Sequence, residues 1–306
     1  MTATRTLRVG TRGSALARTQ TGLVVDALGA PVEVVAIVTS GDRSSQALSQ
    51  LGGTGVFVSA LREALVAGDI DVAVHSYKDL PTAASDGVVI GAVPPREDAR
   101  DALVARDGLT LGGLPPGSRI GTGSPRRAAQ LRALGLGVQV VDVRGNVDTR
   151  VGKVTSGELD AVLLAYAGLL RLGRAAEVTE VLDPIQVLPA AAQGALAVEC
   201  RASDERALTL LAALDHADTR VAVAAERALL AALEAGCSAP VGALAEVAEG
   251  ELGTEVFLRA CVTALDGSAA VRLSGTGATT DADGVGRRLA ADLLAAGADQ
   301  MMGSST

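Results

Sequence analysis

What most restricts the fold of this chain is an alternation along its length. Short runs rich in Val, Ile, Leu and Ala take turns with stretches whose apolar residues recur at helical spacing. The pattern predicts strands over 32–39, 69–76, 88–93, 119–122, 138–143, 160–164 and 195–199. It predicts helices over 14–28, 57–67 and 125–134. Alternation of this kind builds layered α/β domains around largely parallel sheets. From about Asp215 the pattern changes to a helix over 219–235, strand-like runs over 255–264 and 270–275, and a final helix over 282–296. That suits a small α+β unit. The expected fold class is therefore α/β with three domains: residues 1–94 with 195–214, residues 98–190, and residues 215–306.

One internal echo refines this. Arg8-Val9-Gly10-Thr11 running into Arg12-Gly13-Ser14 resembles Arg119-Ile120-Gly121-Thr122 running into Gly123-Ser124-Pro125. Each reads as a strand, a small-residue turn and a helix start, which is either the common form of such junctions or the mark of two similar domains. In the second reading each domain offers helix N–H groups that favour anions. The paired prolines at Pro94-Pro95 favour extended backbone and suit a passage between domains, with a return near Leu188-Pro189. The glycine-rich polar segment 42–55 reads as a functional lid or a connection.

Composition narrows the partners. The core must be built from Ala, Val and Leu, because the 306 residues include two Phe, two Tyr and no Trp. So few aromatics argue against stacking on single-stranded nucleic acid. A net charge of −8 argues against general attraction to nucleic acid or an anionic membrane. No segment has the apolar length of a membrane span, and MTATRTLRVG holds no signal-peptide core. Three widely spaced cysteines and two histidines suit a reducing compartment and give no zinc pattern. We expect a soluble, cytoplasmic chain with no metal.

Against that acidic background, basic side chains gather in Gly/Ser/Thr junctions. Arg126 and Arg127 open a helix, where cations oppose the helix dipole. Arg144 and Arg150 bracket Gly145-Asn146-Val147-Asp148-Thr149, and Arg12, Lys78 and Arg171 stand at other element ends. Guanidinium forks match carboxylates, so the cluster points to a ligand carrying several of them. The strand end Val74-His75-Ser76-Tyr77-Lys78-Asp79 places Asp79 where open α/β sheets bind ligands, either as a proton-transferring carboxylate or as a turn cap. Cys237 follows a helix whose left-handed stop is expected at Gly236, with Pro240 blocking resumption. Position alone leaves it open as a reactive thiol or a buried filler, whereas Cys200 and Cys261 lie in strand-like runs and read as core.

Seven segments in order then carry a resemblance: GTRGSALARTQ (10–20), VHSYKDLPT (74–82), GTGSPRRAAQL (121–131), RGNVDTR (144–150), LLAYAGLLRLG (163–173), LPAAAQGALAVECR (188–201) and ERALLAALEAGCSAP (226–240). Together they resemble the porphobilinogen deaminase family. The resemblance implies two domains similar to type II periplasmic binding proteins and a small third domain. It implies a monomeric transferase that joins four porphobilinogen molecules head to tail, releasing ammonia, to give 1-hydroxymethylbilane. It implies a dipyrromethane cofactor, held by a thioether at Cys237, and a catalytic carboxylate at Asp79. Arg12, Ser14, Ser76, Lys78, Thr122, Ser124, Arg126, Arg127, Arg144, Arg150 and Arg171 match acetate- and propionate-binding positions, and Gln20 and Gln193 match glutamines near the same cleft. Phe57 matches an aromatic associated with that site. Thr54 and Ser59 stand where the family often has lysine, Gly123 and Pro125 where serine and leucine are commoner, and Tyr77 where methionine or leucine is usual. Two other classes compete: a two-domain anion receptor without chemistry, and a thiol acyltransferase pairing Cys237 with His75 or His216.

Overall fold

The computed structural model describes residues 6–37, 55–236, 239–250 and 253–302. The chain forms two compact units, residues 1–97 with 195–220 and residues 98–194 with 221–306. Of the segment 42–55 read as a lid or a connection, residues 42–54, Thr54 among them, lie outside the described residues, as does Cys237.

The first unit runs β1 (Leu7–Arg12), α1 (Ala15–Leu28), β2 (Val32–Ile37), α2 (Gly55–Ala67), β3 (Val72–Ser76) and β4 (Val88–Ala92). The second opens with β5 (Asp101–Ala105), β6 (Arg119–Gly121), α3 (Pro125–Ala133), β7 (Gln139–Val141), α4 (Val147–Thr155), β8 (Ala161–Ala165), α5 (Tyr166–Arg171) and β9 (Glu180–Val181). The chain then adds β10 (Leu196–Arg201) and α6 (Glu205–Ala212) to the first unit. After α7 (Ala217–Ala232) come β11 (Val241–Gly250), β12 (Gly253–Thr263), β13 (Ala270–Ala278) and α8 (Ala282–Ala295).

The first sheet has the order β2-β1-β3-β10-β4 and the second β7-β6-β8-β5-β9. In both, the first three strands run parallel and the fourth is antiparallel to both neighbours. The largely parallel expectation is thus corrected to two mixed sheets, because β10 and β5 each enter their sheet straight from the other unit rather than through a crossover helix. Their matching order makes the internal echo a domain-level repeat: β1 and β6 hold the same place. Gly10 and Gly121 in these strands are closely approached, since a Cβ would lie 2.3 Å from the Ile70 side chain and 2.6 Å from that of Leu159, so a larger residue would force those side chains to move.

Helices cover both faces of each sheet. Val24 of α1 and Leu211 of α6 pack on one side of the first, against Val9, Val74 and Val198, while Leu61 and Leu65 of α2 fill the other. In the second, Leu131 of α3 meets Leu103 and Leu163, while Val151 and Leu169 meet Ala102, Val104 and Val162. Central strands such as β3 and β8, buried on two faces, read as continuous apolar runs, which is why the sequence signal was strong there. The third sheet is an antiparallel meander, β11-β12-β13. One face is covered by α7 and α8, where Ala225, Leu229, Leu289 and Leu293 pack on Ala243, Leu258 and Val262.

Candidate functional site

In the first unit the site-bearing residues gather at the C-terminal ends of β1 and β3. Ser14 caps α1, its hydroxyl accepting from the Ala17 N–H at 3.3 Å, which leaves its O–H as a donor. Arg12, at the end of β1, is half-buried. The buried Gln20 accepts from the Ser76 hydroxyl at 3.1 Å, joining α1 to the end of β3. There the chain makes one 3-10 turn, Tyr77–Asp79, pinned by the Tyr77 N–H on the Ala195 carbonyl of the β10 approach (3.0 Å). Lys78 and Asp79 are half-buried in it, and the Asp79 carboxylate takes no partner among the described residues. It therefore caps nothing and is available for chemistry.

One residue upstream, His75 Nε2 lies 3.2 Å from Glu199, which also receives Arg62 Nη2 at 2.7 Å. Burial pushes the Glu199 carboxyl up, but His75 and Arg62 outweigh it and hold it below the usual range. The Arg62–Glu199 pair ties α2 to β10, and His75 of β3 lies against the same carboxylate, although its Nε2 makes no well-aligned hydrogen bond among the described residues. His216 is likewise engaged: its Nδ1 accepts from the Thr219 N–H at 3.2 Å.

In the second unit the two helix-opening arginines meet a carboxylate that sequence reasoning missed. Asp101, fully buried at the start of β5, receives Arg126 Nη1 at 2.8 Å, Arg127 Nη2 at 2.7 Å and Arg127 Nε at 3.0 Å. Burial raises its pKa, and the two guanidinium charges overcome that, leaving it far below the carboxylate range. The signal that could have found it was the arginine pair itself, a violation of helix electrostatics needing a counter-charge. Gln193 completes the group, donating from Nε2 to Asp101 at 2.7 Å while its Oε1 accepts from Arg127 at 3.3 Å. Arg126 also donates to the Leu188 carbonyl (2.6 Å), but its buried Nε has no partner among the described residues.

Other predicted residues surround this group. Ser124 caps α3, accepting from the Arg127 N–H at 3.5 Å, and the buried Thr122 hydroxyl accepts from the Ser124 N–H at 3.2 Å. Arg150, half-buried, donates to the Gly145 carbonyl at 2.9 Å; burial and the Arg127 charge lower its pKa. Arg171 donates to the Gly194 carbonyl at 2.6 Å. Arg144 is exposed beside Asp142, at 3.5 Å. The loop carrying Gln193 is fixed by the buried Glu226 of α7, which accepts from the Ala192 N–H at 2.5 Å and the Ala245 N–H at 2.7 Å while Ala192 holds a left-handed φ of 59°.

Cys237 and Ser238 lie outside the described residues. The left-handed stop expected at Gly236 falls at Glu234 (φ 51°), because turning there keeps Leu233 and Ala235 in the core and Glu234 in water. Cys200 and Cys261 are buried and unpaired, and burial raises the Cys200 thiol to about 11. Among the described residues no group of three or more His, Cys, Asp or Glu could hold a metal ion, and no helix is long and apolar enough to cross a membrane.

Fold and site define a class: an α/β protein whose second unit buries more guanidinium than carboxylate in one cluster. Residues 7–209 match the family model described as porphobilinogen deaminase, dipyromethane cofactor binding domain, and residues 220–295 match that of the porphobilinogen deaminase C-terminal domain. The chain is 60% identical to the porphobilinogen deaminase of Mycobacterium tuberculosis (strain ATCC 25618 / H37Rv) over 304 residues, 97% of this chain and 98% of that one. It is 59% identical to that of Mycobacterium avium (strain 104), over 97% and 96%. It belongs to the porphobilinogen deaminase family. Among solved structures, a periplasmic sulfonate-binding protein from Methylobacillus flagellatus KT aligns with a TM-score of 0.39 at 15% identity, over 73% of this chain and 67% of that one.

Proposed function

We propose that this chain is a cytoplasmic, monomeric transferase that joins four porphobilinogen molecules head to tail, releases ammonia and yields 1-hydroxymethylbilane on the way to tetrapyrroles. The observation that carries the reading is family membership across nearly the whole length, with both family domains matched. The three-domain division stated above, and the binding roles given to Arg12, Ser14, Gln20, Ser76, Lys78, Thr122, Ser124, Arg126, Arg127, Arg144, Arg150, Arg171 and Gln193, are parts of this proposal.

The residues present fit a dipyrromethane. The cluster around Asp101 sets Arg126 and Arg127 against one buried carboxylate, with Arg150 near enough to feel the Arg127 charge, and Arg126 retains a buried Nε with no partner among the described residues. Excess buried positive charge of this kind is relieved by acetate and propionate groups. A dipyrromethane bound at Cys237 supplies the electron-rich pyrrole carbon from which the product chain extends. The protein's own part is electrostatic. Arginines bind the side-chain carboxylates and fix each pyrrole in position, a gain in proximity rather than in intrinsic reactivity. Asp79 stabilises the positive charge that develops on a substrate pyrrole as its amine leaves, and its half-buried setting makes that interaction stronger than in bulk water.

Intact mass of the purified protein tests this, set against the mass calculated from sequence and a Cys237→Ala control. An excess equal to two linked pyrrole units, absent from the control, is the expected result. A wild-type mass that stays unmodified even after incubation with porphobilinogen would sink the reading.

A further inference from the structure

The face of the third sheet turned away from α7 and α8 is only partly covered. Along β12 the helix-facing residues include Val256, Leu258, Ala260 and Val262, so strand alternation puts Phe257, Arg259 and Cys261 on the opposite side. Ser274 stands opposite Arg259 in the ladder, and Arg272 opposite Cys261. The segment before Pro189 is held over this face, with Arg272 Nη1 donating to the Ile185 carbonyl at 2.6 Å and Leu188 packed with Leu244 and Cys261. A cavity of about 260 Å³ is left between Ile185 and Leu188 on one wall and the strand residues on the other.

Its chemistry is two-sided. Ile185 is 74% exposed and Phe257 36%, which makes the mouth of the cavity apolar. Arg259 lies over the Phe257 ring, its guanidinium carbon 5.9 Å from the ring centre. The nearest carboxylate to it is Glu246, at a long 3.4 Å, and its Nε is shielded from water without a hydrogen-bond partner among the described residues. Arg272 Nη2 makes only long contacts, 3.3 Å to the Gln186 carbonyl and 3.4 Å to Gln130 Oε1. Two guanidinium groups therefore line the cavity, and Glu246 is the one carboxylate in ion-pair contact with either among the described residues.

We propose that this cavity binds a small aromatic carboxylate, its anionic group on Arg259 and its ring between Ile185 and Phe257. The volume lies just under the roughly 300 Å³ lower bound of ordinary ligand sites, which limits the occupant to one or two fused rings. Apolar walls favour the ring, and the net positive charge rejects the corresponding amine. Leu188, which closes the cavity, also accepts from Arg126, so the test must separate this site from the Asp101 cluster.

The experiment is calorimetric titration of the full chain with indole-3-acetate, with tryptamine as the same ring bearing the opposite charge. One saturable site for the acid and none for the amine is expected. Arg259→Gln and Phe257→Ala should each weaken binding at least tenfold, and Glu246→Gln, which releases Arg259, should tighten it severalfold. Both deletions are on an open sheet face, and unchanged unfolding midpoints will show that they fold. Absence of saturable binding overturns the proposal, as does binding that survives Arg259→Gln, which would put the anion elsewhere. A dimer that Ile185→Ser dissociates would assign the face to a second copy and overturn it equally.

Discussion

Arg126 and Arg127 sit in the first turn of a helix, where each raises the electrostatic energy of the unsatisfied N–H groups, and both stay because Asp101 lies beneath them. Such a buried group is asymmetric. The intact set adds little net stability, but removing its only carboxylate strands two cations away from water, at a cost of about 3–5 kcal/mol. Asp101→Ala should therefore lower the urea midpoint steeply, while Arg126→Leu, which leaves the Arg127 pair in place, should cost less stability and mainly impair cofactor loading or elongation. Equal midpoints for Asp101→Ala and wild type would refute the account. Asp79 is the opposite case, a carboxylate with no partner among the described residues to lose. Asp79→Asn should leave the midpoint unchanged and cut turnover by roughly a hundredfold or more. Near-normal steady-state turnover would remove Asp79 from the chemistry.

At the scale of elements, the first sheet is stitched along its lower edge by one carboxylate. Asp71, just before β3, receives Arg8 of β1 at 2.8 Å and Arg201 of β10 at 3.1 Å, joining three strands. Burial raises its pKa, but the hydrogen bonds from Arg8 and then Arg201 prevail and bring it to about 2. The folded value lies below the unfolded one, so this stabilisation is full above about pH 4 and is lost as pH falls toward 2. Asp71→Asn should be less stable than wild type at neutral pH, and the gap should close across that window; a gap independent of pH would exclude the linkage. The strands flanking these contacts were legible because apolar runs bounded by turns survive any tertiary setting. β5 was not, since it begins with a charged residue in a short Ala-rich run behind the paired prolines, and its carboxylate makes sense only with arginines 25 and 26 residues later. α4 was hidden for another reason: Val, Thr and Gly dominate Val147–Thr155, so its propensity is poor, and Asn146 capping supplies what the sequence pattern does not advertise. The arginines and Asp79 stood out in the sequence as candidates because their residue types are costly at those places, whereas nothing in the sequence singled out Glu226 and Glu199, whose partners come from distant elements.

For the whole molecule, the cysteines give a count that links fold and function. Of three, Cys200 and Cys261 are sealed in separate sheets, 0% and 1% exposed, and burial holds the Cys200 thiol near 11, so few thiolates form there at neutral pH. Slow reaction with a chromogenic disulfide reagent is expected at both in the native chain. Unfolding removes that protection and makes the total a test of Cys237. If Cys237 carries a thioether, the denatured wild type should titrate as two thiols, the same number as denatured Cys237→Ala. Cofactor-free protein should titrate as three and fall to two after incubation with porphobilinogen. The Cys237→Ala count separates a misassigned tether, which would leave it one thiol, from a cofactor-free preparation, which would leave it two. A denatured Cys237→Ala that titrates as one thiol beside a wild type at two would exclude Cys237 as the attachment point. Rapid reaction of two thiols in native Cys237→Ala would mean that the sheets around Cys200 and Cys261 open far more readily than their packing implies.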